Sequence, residues 1–295
     1  MSSLKFIIHQ ILGVILLLIL AALPLHFFSD GSRVVFQPYG IVEEIKRFVM
    51  GLWSGESLYY FQGDRSRFLL DDLTSFFLSS YMYLTVSLLA VVVLALILGI
   101  WFWKKSEQWL NSFLGFIGFL PDFILILLLQ LLLGFIYSKT GVKIAKVASF
   151  STDDPAVFLP ILTLTVLPLF YLVRALNEKT FEVLTEDYIL TAKSKGLSKR
   201  YIYLVHVTSN VLPFLKADLY KIVGISISNL FIVEYLYNTR GLTELLFEYP
   251  THFGYQYNLV VITLFSFLAL YVGTLFTIKL FLFLAEKIFM RFYFL

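Results

Sequence analysis

Several polar side chains stand where hydrocarbon is expected: Asp122 and Gln130 in one apolar stretch, Ser226, Ser228 and Asn229 in another, and Glu234 at the end of that second stretch. Lipid penalises such groups unless they face protein or water, so each is a candidate for a pathway or gate. Asp122 follows Pro121; a helix can open there toward a wet interior, or the carboxylate can sit near the headgroups. Ser226, Ser228 and Asn229 equally suit hydrogen bonds between helices, and Glu234 is either part of a gate or solvated. Catalysis finds less support. The chain has no cysteine and four scattered histidines, which excludes disulfides and thiolate chemistry and argues against a His-ligated metal. Asp122 and His206 are what remains for an intramembrane enzyme, and no nucleophile and base converge around them.

A second group of residues is charged and lies between apolar stretches, from Glu182 to Arg200. Thr185 is suited to cap a helix whose first turn holds Glu186 and Asp187 and whose last holds Lys193 and Lys195, charges that oppose the macrodipole. Gly196 supplies the left-handed residue that stops it. Ser198 then caps a second helix, Lys199 to Asn210, which Pro213 interrupts. Ala192 and Gly196 are small and one turn apart, so another protein can approach the backbone, with Tyr188, Ile189 and Leu197 as apolar anchors. The same pattern also fits a connector whose basic residues only set orientation.

The elements that position these groups are membrane helices. Of the 295 residues 59% are hydrophobic and 15% charged, a balance whose surface water could not wet. A bilayer core of about 30 Å takes roughly 20 apolar helical residues. Six segments qualify: Phe6 to Leu25, Phe76 to Trp103, Phe113 to Tyr137, Val157 to Val173, Val211 to Val233 and Leu259 to Leu284. The first is longer than a signal-peptide core and reads as an uncleaved anchor. Net charge is +3, with the basic residues in short clusters beside spans, so they set topology and leave nucleic acid without a footprint. Lys104 and Lys105, then Lys193, Lys195, Lys199 and Arg200, then Lys287 and Arg291 place both termini in the cytoplasm. Lys139, Lys143 and Lys146 oppose this, but reversal would put the larger basic cluster outside. The segment from His26 to Ser75 then lies outside as a small cap, with an amphipathic run from Ile41 to Trp53 and a turn-rich stretch from Ser54 to Arg67. The organisation expected is an N-terminal span over 1–28, an external cap over 29–75, and a five-helix core over 76–295 that includes a cytoplasmic loop over 177–210.

Leu190-Thr-Ala192, followed after three residues by Gly196, resembles the EAA loop of binding-protein-dependent ABC importer permeases. Glu186-Asp-Tyr-Ile-Leu-Thr-Ala-Lys-Ser-Lys-Gly-Leu197 is similar to its form in the dipeptide, oligopeptide and nickel permease family. Trp53-Ser-Gly-Glu-Ser57, Thr85-Val-Ser-Leu88, Leu159-Pro-Ile-Leu-Thr-Leu164 with Arg174, and Val233-Glu234 with Arg240-Gly-Leu242 extend the resemblance over most of the chain. Departures lie in the outer half: Arg240 replaces the family's usual proline, Thr243 its glycine, and Gly254-Tyr-Gln256 its Asp-Tyr-Pro.

The resemblance implies an all-α, six-span permease of the type I ABC importer kind in a prokaryotic inner membrane, with a cytoplasmic coupling helix between spans 4 and 5. Implied partners are a second homologous permease, one or two cytoplasmic ATPases and an external substrate-binding protein. Glu186, Asp187, Tyr188, Ala192, Lys195, Gly196 and Leu197 would form the ATPase contact, with Gly196 as the close-contact pivot. ATP and Mg would be bound by the ATPases, this chain binding no cofactor of its own, and no Gly-x-x-x-x-Gly-Lys-Ser/Thr phosphate loop occurs in it. The implied cargo is a small peptide, with nickel or a metal chelate next. A stand-alone channel or secondary transporter is the alternative, but it would need no docked insert and would often show matching halves.

Overall fold

The computed structural model describes residues 3–29, 33–104, 122–150 and 154–293. Helix α1 is Ser3–Ala22 and runs through a 3-10 turn, Leu23–His26, into a hairpin of β1, Phe27–Ser29, and β2, Val34–Phe36. Helix α2 is Tyr39–Ser54, and a second hairpin pairs β3, Tyr59–Gln62, with β4, Arg65–Phe68. Helix α3, Leu69–Leu96, ends in a π turn over Ile97–Trp101. Helix α4 is Asp122–Thr140, α5 is Phe158–Thr185 and α6 is Asp187–Ser194. Helix α7 runs Lys199–Tyr237, α8 is Tyr249–Phe253 and α9 is Tyr257–Tyr293.

Six helices among the described residues are long and apolar enough to cross a membrane: Ile7–His26, Leu69–Trp101, Phe123–Thr140, Phe158–Thr185, Lys199–Tyr237 and Tyr257–Ile288. Their ends differ from the expected spans in an instructive way. Helix α3 starts at Leu69 rather than Phe76, with Asp71 and Asp72 in its first turn where they meet the positive end of the dipole. Helix α5 continues past Val173 to Thr185 because Ala175, Leu176 and Glu182 are strong helix formers that need no lipid around them. Helix α7 likewise begins at Lys199 and passes Pro213 without a break, so the expected stop at that proline is not there. A π segment, Ile202–Val207, lies just upstream and changes the hydrogen-bond register before the proline, which lacks an N–H. The expected start of span 3 at Phe113 lies outside the described residues, as does Lys105.

The chain divides into two compact units, Met1–Ser79 with Arg240–Leu270, and Ser80–Thr239 with Tyr271–Leu295. In the first unit, Ala21, Ala22, Ile41 and Phe48 pack with Tyr257, Val260 and Val261, joining α1, α2 and the start of α9. The Tyr60 hydroxyl donates to Asp72 Oδ2 at 2.5 Å and Arg67 pairs with Asp72 at 3.2 Å, pinning the second hairpin to α3. Burial and the adjacent Asp72 raise the Tyr60 phenol well above its ordinary range, so it stays a donor. The two hairpins were not expected of an all-helical chain; their strands are three residues long in the first and four in the second, too short to leave a readable alternation.

Gln256 acts as a clamp on this hairpin. Its Oε1 accepts from Phe61 N at 2.8 Å and its Nε2 donates to Phe61 O at 2.7 Å, extending the β3 edge as a neighbouring strand would. Asn258 Nδ2 donates to Ser57 O at 3.1 Å beside it. Gln256→Ala is expected to cost about 1–2 kcal/mol from the two lost bonds and to speed hydrogen exchange selectively over residues 59–68; unchanged exchange there would contradict the clamp.

In the second unit α5 packs along α7 and against the π turn that ends α3. Gly99 sits at that crossing: a Cβ there would lie 2.6 Å from Leu176 Cβ, and its carbonyl accepts from Thr180 Oγ1 at 2.9 Å. Close approach at a glycine is a common way for membrane helices to gain contact. Lys216 pairs with Glu286 at 2.6 Å between α7 and α9, and Lys221 lies 4.3 Å from the centre of the Tyr171 ring, so these span lysines are partnered.

Candidate functional site

Between α5 and α7 the chain leaves the long helices for only thirteen residues, 186–198, and α6 occupies most of them. Thr185 does not cap it. That residue is the last of α5 and its hydroxyl donates to Glu182 O at 2.7 Å, while Glu186, extended at ψ 146°, takes the N-cap position and its carbonyl accepts from Ile189 N and Leu190 N. Of the expected end charges, Asp187 stands in the first turn and Lys193 in the last, while Glu186 and Lys195 take the cap positions just outside the helix.

Its C-terminus is a Schellman motif built on Gly196 at φ +75°. Gly196 N donates to Lys193 O at 3.0 Å and Leu197 N to Ala192 O at 3.2 Å, the two bonds that define the motif. A left-handed residue there is what glycine provides without Cβ strain. Among the described residues, no heavy atom beyond the chain neighbours lies within 4 Å of where a Cβ on Gly196 would stand, so that corner is open. Two residues on, Ser198 Oγ accepts from Tyr201 N at 3.3 Å and starts α7, as its residue type implies.

Burial separates two faces of α6. Ile189 is 0% and Ala192 5% exposed, whereas Tyr188, Leu190 and Leu197 are 42%, 53% and 37% exposed. Ile189 is therefore an anchor onto the chain's own body and not onto a partner, and Ala192 likewise faces inward. Glu186, Asp187, Lys195 and Gly196 are exposed. The open surface thus combines Tyr188, Leu190 and Leu197 with charges of both signs. Burial and Glu186 raise the Tyr188 phenol above its ordinary value, so it presents a neutral hydroxyl.

The in-span polar residues do not form one cluster. Gln130 Nε2 donates to Val147 O at 2.8 Å and Leu236 O at 3.1 Å, so its amide holds α4 to neighbouring backbone. Ser228 is exposed and donates to Gly224 O at 3.1 Å, while Ser226 and Asn229 are buried. Glu234 is 4% exposed and accepts from Ser80 Oγ, which removes the solvated reading. Asp122 opens α4, and its side chain lies outside the described residues. Ser80 was not among the expected residues; its partner is 154 positions away, a distance no local pattern bridges.

Six spans with a short helix, stopped at both ends, between the fourth and fifth define a multi-pass membrane protein. The family described as binding-protein-dependent transport system inner membrane component matches residues 49–289, and the chain belongs to that family. It is accordingly an inner-membrane transport subunit. Among curated proteins it is similar to the dipeptide transport system permease protein DppB of Haemophilus influenzae, 35% identical over 102 residues, 35% of this chain and 28% of the relative. DppB of Bacillus subtilis is 33% identical over 90 residues, 30% of this chain and 29% of the relative. The oligopeptide transport system permease protein OppB of Mycoplasma pneumoniae is 32% identical over 94 residues, 32% of this chain and 24% of the relative. Each match thus spans less than a third of the relative's own length.

Proposed function

We propose that this chain is one of two permease subunits of an ABC importer for dipeptides or oligopeptides, driven by cytoplasmic ATPases that dock on α6. The observation that carries this reading is the two-sided α6: Ile189 and Ala192 bind it to the chain's own body, while Tyr188, Leu190, Leu197 and the bare corner at Gly196 stand open. A helix held on one side and exposed on the other transmits force when a partner grips it. In this reading both termini are cytoplasmic and the segment from His26 to Ser75 is an external cap that meets a substrate-binding protein. ATP and Mg sit on the ATPases. Peptide is favoured over nickel because the similar proteins are named for dipeptide and oligopeptide transport.

The test is the complex of this chain with a second permease and the ATPases, assayed with a purified binding protein. Dipeptide-loaded binding protein should stimulate ATP hydrolysis, and nickel-chelate-loaded protein should not. Stimulation by the nickel form alone would overturn the peptide assignment, and a chain that never associates with an ATPase would overturn the subunit assignment.

A further inference from the structure

A groove of about 670 Å³ opens beside α6, where the ends of α3 and α5 meet the start of α7. Its volume is in the range of pockets that hold small ligands. Three lysines from three different stretches line it: Lys104 after the π turn, Lys193 on α6 and Lys199 at the start of α7. None of its described lining residues is acidic, and among the described residues none of the three lysines has a carboxylate within salt-bridge distance. Part of the wall is apolar, with Phe181, Leu184 and Ile202. Aromatic side chains with polar tips complete the lining: Trp103 Nε1 donates to the Tyr203 hydroxyl at 3.1 Å, and Trp101 packs against the Tyr203 ring.

Lys104 lies 5.4 Å from the centre of the Trp103 ring, Lys199 lies 5.7 Å from that of Tyr203, and Trp103 packs on Phe181; cations on tryptophan and tyrosine beside hydrocarbon are what a membrane–water boundary favours. All three walls come from the same ends of their spans, because α3 leaves the membrane there, α5 leaves beside it and α7 re-enters. Charge and hydrophobicity together point to one occupant. A free phosphate would satisfy the lysines and leave the aromatic and aliphatic wall wet, whereas a phospholipid satisfies both. Basic pockets between spans are a known means of holding acidic headgroups.

We propose that this groove binds an anionic phospholipid, with the headgroup phosphate between Lys104, Lys193 and Lys199 and the acyl chains along Phe181 and Leu184. The bound lipid would bridge the end of α3 to α6. The claim does not depend on the cargo or on the ATPase, since it needs only the chain in a bilayer.

The experiment uses the full chain in nanodiscs of phosphatidylcholine containing one-fifth phosphatidylglycerol, with dibrominated acyl chains on one lipid or the other. Trp101 and Trp103 report local lipid through bromine quenching of fluorescence, with Trp53→Phe and Trp109→Phe removing the other two tryptophans. Brominated phosphatidylglycerol should quench more, per molecule, than brominated phosphatidylcholine. Each Lys→Gln change should reduce that preference by about fivefold, the loss expected for one cation near an acidic surface. The triple variant K104Q/K193Q/K199Q should abolish it, and K104R/K193R/K199R should keep it, which excludes a folding defect. Inorganic phosphate at millimolar levels should not compete. Equal quenching by the two lipids, a preference that survives the triple Gln change, or displacement by inorganic phosphate would each overturn the proposal. So would a triple Gln variant that loses ATPase association while its lipid preference stays intact, since the lysines would then serve a protein surface.

Discussion

Gly196→Arg is expected to lower recovery of the ATPase with this chain by roughly 30-fold or more, the loss that follows removal of an interface hot spot of about 2 kcal/mol, while membrane insertion is unchanged. Two effects combine. An L-residue held at φ +75° carries about 1–2 kcal/mol of backbone strain, and the arginine side chain projects from a corner where, among the described residues, no atom beyond the chain neighbours lies within 4 Å. On the proposed reading, what it blocks is the docked ATPase. Gly196→Asn separates the two effects, because asparagine tolerates the left-handed region and should keep the Schellman bonds while still adding bulk. Co-purification of detergent-solubilised complexes measures both variants. Full recovery of the ATPase with both would show that the partner does not approach Gly196.

Gly99→Leu is expected to lower the melting temperature of the purified chain in detergent by several degrees, from about 1–3 kcal/mol of overpacking. The cause is the 2.6 Å approach that any Cβ would make to Leu176 Cβ, which forces the α3 end away from α5 and stretches the Thr180 hydroxyl's bond to Gly99 O. Leu176→Ala in the same chain should recover little of the loss, because alanine keeps the Cβ that the new Cβ meets. Since α5 runs to within one residue of α6, a looser crossing should also weaken substrate-stimulated ATP hydrolysis in the assembled complex. An unchanged melting temperature would mean that the two helices are not held as close as their backbones indicate.

The spans were legible because a run of some twenty apolar residues has few other uses, and Gly196 was legible because a left-handed stop leaves a local mark. Ser198 was readable for the same reason: its oxygen caps within its own turn. The two faces of α6 were not. Eight residues carry too little periodicity to tell Ile189 from Leu190, since both are apolar and only tertiary packing buries the first. Thr185 misled as a cap because a threonine at the end of one helix and a threonine before the next look alike in sequence. Gln130 and Glu234 stand out in the sequence as polar groups in or beside apolar stretches. Yet their partners, the carbonyls of Val147 and Leu236 and the hydroxyl of Ser80, are set by long-range contacts that no spacing encodes.

Docking of a cytoplasmic ATPase on an exposed helix and passage of a peptide through a pore shared with a second permease make one central claim. Its most direct test is uptake of a labelled dipeptide into proteoliposomes. The complete assembly, with binding protein outside and ATP inside, should accumulate the label, and liposomes holding this chain alone should take up none. Substrate-dependent, ATP-independent uptake by the chain alone would contradict the account.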